Sequence, residues 1–312
     1  MYALVISACV RSEAERPDNS ISFAPVTEKV KKSIISGTEY PVAESFVVSA
    51  YYNGTTAYFE NLTAAYSSSV NLWETSSSQY WPLAGSLDFI AYSPASASGV
   101  TIDATDGVVA QDYTIQDIGS MTTDLCTASA NVPDCDVHPD SVPLTFSHAL
   151  SQIVFRVKAA GYYSTASRTV ELALAGLTLE GIYSVGTYSA GAWGGHDAEY
   201  SYVLSSDETA LTYDGENNPE TIDVCSYLFI PQTLGENAAV SVSFNMTQTV
   251  SGTDYTLENS PVTVSLGGSV TQWEPGKKYI YTLSIGMNNV ITFTASTVGW
   301  TDDAEDIIVE EN

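Results

Sequence analysis

Phe46-Val47-Val48-Ser49-Ala50-Tyr51-Tyr52-Asn53-Gly54 decides the fold class. β-branched and aromatic side chains dominate this run, as they do on the pleated, half-buried surface of a strand. It stops at Asn-Gly, the pair that most readily takes the left-handed backbone of a tight hairpin turn. Upstream, Ile21-Ser22-Phe23-Ala24-Pro25-Val26 alternates, so Ile21, Phe23 and Pro25 share one face and Ser22, Ala24 and Val26 the other. Downstream, strands are predicted over 58–62, 70–73, 80–83 and 87–92, separated by Ser- and Gly-rich breaks. Residues 100–140, rich in Asp, Gly and Pro, read as a loop. From Val142-Pro143-Leu144-Thr145-Phe146 a fresh set of strands opens, over 152–158, 169–174, 226–230, 239–246, 262–266, 278–285 and 290–295. No sustained helical period appears, and many short strands at even spacing mark an all-β sandwich or barrel.

Composition agrees. The 312 residues carry 10 Lys and Arg against 37 Asp and Glu, a formal charge of −27, while charged residues make up only 15%. A surface this negative repels phosphate backbones, which excludes nucleic acid as a partner. With 20 Tyr and 44% hydrophobic residues the chain has enough apolar surface for real cores. No apolar run approaches the length of a membrane helix. The one hydrophobic leader ends in Ile6-Ser7-Ala8-Cys9, small residues before a cysteine as in a bacterial lipobox, where cleavage leaves the cysteine as a lipidated N-terminus. The sequence turns polar from Arg11 to Ser20, as a tether would. The leader is short and lacks a basic start, so the translation start is expected upstream.

Catalytic chemistry finds little purchase. Only His138, His148 and His196 are present, with no Gly-x-Ser-x-Gly elbow and no His-Glu-x-x-His pair. His148, after Phe146-Ser147, reads as a histidine hydrogen-bonded at a domain junction. Cys126 and Cys135 could close a loop disulfide or stand free, and no cysteine and histidine spacing matches a zinc site. Asp103-Ala104-Thr105-Asp106-Gly107, Asp134-Cys135-Asp136 and Thr301-Asp302-Asp303 lack the order of a calcium loop. No metal, cofactor or catalytic residue is therefore predicted. Of the five tryptophans, Trp193 between Gly191 and Gly194-Gly195 is the best candidate for an exposed ring.

Several further stretches, taken in order, resemble the fimbrillin family, the subunits of type V pili in anaerobic gut and oral bacteria. They are 46–54, Tyr80-Trp81-Pro82, Leu87-Asp88-Phe89-Ile90-Ala91-Tyr92-Ser93-Pro94, Thr123-Asp124-Leu125, 144–153, Ile230-Pro231-Gln232, Trp273-Glu274-Pro275-Gly276-Lys277-Lys278-Tyr279, and a final strand closing at Trp300. The resemblance covers roughly residues 9–300 and implies two transthyretin-like β-sandwich domains in series. On this chain they are expected over 21–143 and 144–312, after a lipoprotein leader and tether over 1–20.

The resemblance also implies a structural subunit rather than an enzyme. Such a subunit is held in the outer membrane by a lipid anchor and exposed at the surface in a fimbrium. A processing protease cuts it, and other pilus subunits join it by strand addition. The strand over 21–26, with Ile21, Phe23 and Pro25 inward, is the expected removable strand. The basic cluster Lys29-Val30-Lys31-Lys32, with three of the six lysines, is the expected cut site at Lys29, Lys31 or Lys32. Family sites often follow Arg, and this linker offers only Lys. The tail Glu305-Asp306-Ile307-Ile308-Val309-Glu310 is a candidate donor.

Overall fold

A computed structural model describes residues 19–27, 40–258, 261–268, 270–287 and 291–300. The chain is nearly all β. The first strands are β1 (Phe23–Thr27), β2 (Phe46–Tyr52), β3 (Thr56–Ser67), β4 (Leu72–Thr75) and β5 (Leu87–Ser93). A hairpin of β6 (Val100–Asp103) and β7 (Gly107–Thr114) follows, then a five-residue helix α1 (Ile118–Thr122), β8 (Cys126–Val132) and β9 (Val142–His148). The second half contributes β10 (Ser151–Ala159), β11 (Arg168–Ser189), β12 (Ala192–Ser205), β13 (Thr209–Ala210) and β14 (Ile222–Phe229). It ends with β15 (Ala239–Val250), β16 (Thr253–Glu258), β17 (Val262–Ser265), β18 (Lys277–Ile285) and β19 (Ile291–Gly299).

Seven strands of the first half close on themselves in the order β1-β4-β3-β2-β5-β8-β9. The interior is filled by Phe23, Tyr40, Phe46, Phe59, Trp73, Trp81, Phe89 and Phe146, so this barrel is a packed core and not a pore. The second half is a sandwich. A sheet β14-β10-β18-β19 faces a larger one, β16-β15-β11-β7-β6, to which β12, β13 and β17 add. Between them lies a core that includes Phe155, Leu174, Phe229, Phe244, Trp273 and Tyr281.

The pairing departs from the expected division at Pro143 in two ways. First, β9 runs through Pro143 and stays in the barrel, because Pro143 pairs with Ala24 of β1 and β8 meets β9 only at Ser147 and His148. Proline has no ladder donor to lose on a side where no neighbour sits. Second, β6 and β7 leave the barrel, and β7 pairs with β11 through Thr114 with Val185, Tyr113 with Gly186 and Ala110 with Tyr188. The β7–β11 pairing therefore ties the segment between β5 and β8 of the barrel into the second-half sheet.

Residues 100–140 are not a loop. Val100, Ile102, Val108 and Ala110 are buried by strict alternation, and the polar Asp103–Gly107 stretch is the hairpin turn alone. There the Asp103 carboxylate accepts from the Thr105 and Asp106 amides at 2.7 and 3.0 Å, and Gly107 takes φ +73°. The carboxylate of Asp134 likewise caps the Asp136 amide. These aspartates are turn formers. The strand expected over 80–83 is a single bridge between Tyr80 and Ser20, beyond which Pro82 cannot donate. Among the described residues no helix is long and apolar enough to cross a membrane.

Candidate assembly seam

β1 is the strand that closes the barrel, and its two sides are held unequally. Along β9 it runs parallel in register from Phe23 with Val142 to Thr27 with Phe146. Against β4 it makes one antiparallel pair, Phe23 with Trp73. The amide of Val142 donates to the Ser22 carbonyl at 2.8 Å. Ladder alternation then turns the backbone groups of Ser22, Ala24 and Val26 to β9 and those of Phe23 and Pro25 to β4. Pro25 has no N–H to offer β4, so that side is zipped at Phe23 alone. Ahead of the strand, Ile21 donates to Gln79 at 2.8 Å and Trp81 to Asn19 at 3.0 Å.

Side chains anchor what the backbone holds loosely. Ile21, Phe23, Pro25 and Thr27 are buried, Ala24 is half-buried and Val26 is exposed. Phe23 meets Phe46 and Phe89 edge-on, with centroids 5.7 and 5.8 Å apart. Tyr40 caps the same core, its ring 5.1 Å from Phe146 and its hydroxyl 2.7 Å from Ser93 Oγ. Burial holds the Tyr40 phenol well above the ordinary tyrosine range, against the opposing pull of the Ser93 hydrogen bond. Lys29, Lys31 and Lys32, Cys9 and the tail over 305–310 lie outside the described residues.

The histidines and tryptophans take structural places. His196 Nε2 donates to the Pro231 carbonyl at 2.8 Å, and His138 stacks on Trp81 at 4.6 Å. Trp193 is not an exposed ring. It is half-buried against Tyr188 and Tyr113, and its Nε1 donates to the Ala149 carbonyl. Cys126 and Cys135 are free thiols, both buried. Cys126 instead approaches His148, and Asp124 completes a buried group that the spacing of these residues did not reveal. Its signal was Asp124-x-Cys126, two residues on one face at the start of a strand. A cleft of about 550 Å³ opens beside Thr127, Ser147, Tyr188 and Gly191, and Asp106 is its single carboxylate.

Comparison with known proteins settles the family. The sequence model of the Fimbrillin-like family matches residues 42–300. The chain belongs to that family. Among solved structures, this fimbrillin-like chain is similar to a candidate cell adhesion protein of Bacteroides uniformis. Identity is 16%, the match covers 92% of this chain and 100% of that one, and the TM-score is 0.52. A candidate cell adhesion protein of Parabacteroides distasonis is 12% identical over 92% of this chain and 99% of that one, with TM-score 0.50. At such identities the likeness is one of fold. No curated protein matches the chain. Membership of the Fimbrillin-like family supports a fimbrial, structural role for the chain.

Proposed function

We propose that this protein is a pilus subunit that polymerises by exchanging its first strand. It is exported, lipidated on Cys9 and held at the outer membrane. A protease cuts after Lys29, Lys31 or Lys32. β1 then leaves, and a strand of another subunit takes its place, its backbone pairing with β9 and its side chains filling the pockets of Ile21, Phe23 and Pro25.

One observation carries the reading: the strand that closes the barrel has a ladder on one side and a single pair on the other. Its loss would open a groove lined by Phe46, Phe89 and Phe146, with the β9 edge unpaired, a surface that seeks a strand. The family match begins at residue 42, beyond β1 and the basic linker, which fits a strand separable from the body that the family model covers.

The test is digestion of the purified precursor with a Lys-specific protease, followed by native gel and electron microscopy. Filaments or ladders of oligomers are expected from the cut form and monomers from the uncut form. Release of β1 with the product still monomeric sinks strand exchange and leaves a monomeric surface protein that binds glycan or host protein. Lipidation is tested separately by uptake of labelled fatty acid, which Cys9→Ala should abolish.

A further inference from the structure

We propose that Asp124, Cys126 and His148 form a binding site for one divalent transition-metal ion, best suited to zinc, at the junction of the two units. Cys126 opens β8 and His148 closes β9, and the two are direct partners in the ladder. Asp124 lies two residues before Cys126 and so reaches the same side. All three are buried, at 4, 1 and 5% exposure. His148 Nδ1 stands 2.7 Å from Asp124 Oδ2 and 3.5 Å from Cys126 Sγ, and the three ligand atoms lie within 4.8 Å of one another.

The arrangement is poor for a nucleophile. A thiol–imidazole–carboxylate relay places thiol and carboxylate on opposite ring nitrogens. Here both face Nδ1, while Nε2 is buried with no hydrogen-bond partner among the described residues. For a metal the same arrangement fits. Nitrogen, sulfur and oxygen donors are those zinc takes, and tetrahedral zinc separates N from S by about 3.5 Å and N from O by about 3.3 Å. The Nδ1–Sγ distance already matches, and Asp124 need only swing out by about 0.6 Å. Among the described residues Asp124 Oδ1 is buried without a hydrogen-bond partner, a desolvated carboxylate oxygen.

Charge completes the argument. A 2+ ion with one carboxylate, one thiolate and one neutral imidazole is a neutral unit, the form that a dry interior tolerates. Binding at Nδ1 moves the imidazole proton to Nε2 and exchanges the thiol proton for the metal, releasing one H⁺ per ion with no change of oxidation state. Three protein ligands leave the fourth tetrahedral position to a non-protein ligand. Trp300, at the end of β19, stacks on the His148 ring at 4.1 Å and an interplanar angle of 4°. The ion would therefore pin the imidazole that joins the barrel to the last strand of the sandwich.

The test is titration of the full metal-free chain with Co²⁺, added to the folded protein and, in a second arm, during refolding. One equivalent should produce a thiolate-to-cobalt charge-transfer band and the intense d–d bands of tetrahedral cobalt. One equivalent of Zn²⁺ should then bleach both. Cys126→Ser should abolish the charge-transfer band, and His148→Gln should weaken binding at least tenfold. Cys9→Ser, Cys135→Ser and Cys225→Ser should leave the spectrum unchanged. Only a weak octahedral spectrum from the wild-type chain in both arms, or a thiolate band that survives Cys126→Ser, overturns the proposal.

Discussion

Truncating Phe23 is the sharpest probe of β1 as a core strand. Its ring is fully buried, in edge contact with Phe46 and Phe89, and it marks the single pair with β4. Phe→Ala at such a site removes the transfer energy of the ring and leaves a cavity, about 3–5 kcal/mol together. Against a typical domain stability of about 5–15 kcal/mol, that is a large share for one residue of a five-residue strand. Val26, on the outer face and 40% exposed, supplies the control, and Val26→Ala should cost no more than about 0.5 kcal/mol. Urea unfolding of both variants, followed by tryptophan fluorescence, measures the difference. A Phe23→Ala loss below about 1 kcal/mol, indistinguishable from Val26→Ala, would refute β1 as the strand that completes the barrel core.

Three other outcomes follow from the fold. Gly181→Ala should cost at least about 2 kcal/mol, because Gly181 sits at φ +67° in a bulge of β11 and a Cβ there would meet the Asn237 carbonyl oxygen at 2.2 Å; an unchanged urea midpoint contradicts this. Gln232→Leu should cost about 1–3 kcal/mol, since the side-chain amide accepts from the Tyr183 N–H at 2.8 Å and donates to the Tyr183 and Ile230 carbonyls at 3.1 and 2.9 Å; chemical denaturation reads it directly. Stability should also fall in alkali. Burial, reinforced by Asp124 and Cys126, pushes the Tyr113 phenol up from 10.0 to about 12, and burial pushes the Cys225 thiol from 9.0 to about 12. Both groups are neutral in the fold and ionise sooner when unfolded, so their contribution is complete below pH 9 and is lost as pH rises toward 12. Urea midpoints at pH 8, 10 and 11 should decline in that order, and a flat series counts against it.

Strands whose alternation is carried by β-branched and aromatic residues were legible in the sequence. β2, β5, β10 and β18 fall where the pattern places them. The hairpin β6–β7 was obscured because its turn concentrates Asp and Gly between two short alternating runs. β12 was hidden for a related reason: Gly194-Gly195-His196-Asp197 reads as a loop, yet register shifts against β11 accommodate it within the sheet. Two quoted motifs acquire physical content. Gln232, after Ile230-Pro231, clamps β11 at Tyr183. Trp273, ahead of Glu274-Pro275-Gly276, exchanges backbone hydrogen bonds with Gln232 while its ring donates to the Tyr281 hydroxyl at 2.9 Å.

What local pattern could not supply was pairing between distant segments. The parallel register of β1 on β9 joins opposite ends of the first unit, and with it the closure of the barrel. The Asp124, Cys126 and His148 group forms only when β8 meets β9.

The most direct test of strand exchange is whether the groove left by β1 takes up the same strand in trans. The chain is cut after the basic cluster, its released strand is washed away, and a fluorescent peptide of residues 19–27 is added while anisotropy is followed. The account predicts saturable binding at one peptide per chain. Bound peptide should restore the melting temperature of the precursor and block oligomer formation, and a peptide carrying Phe23→Ala should fail on each count. A cut, strand-free protein that remains as stable as the precursor and binds no peptide would contradict it.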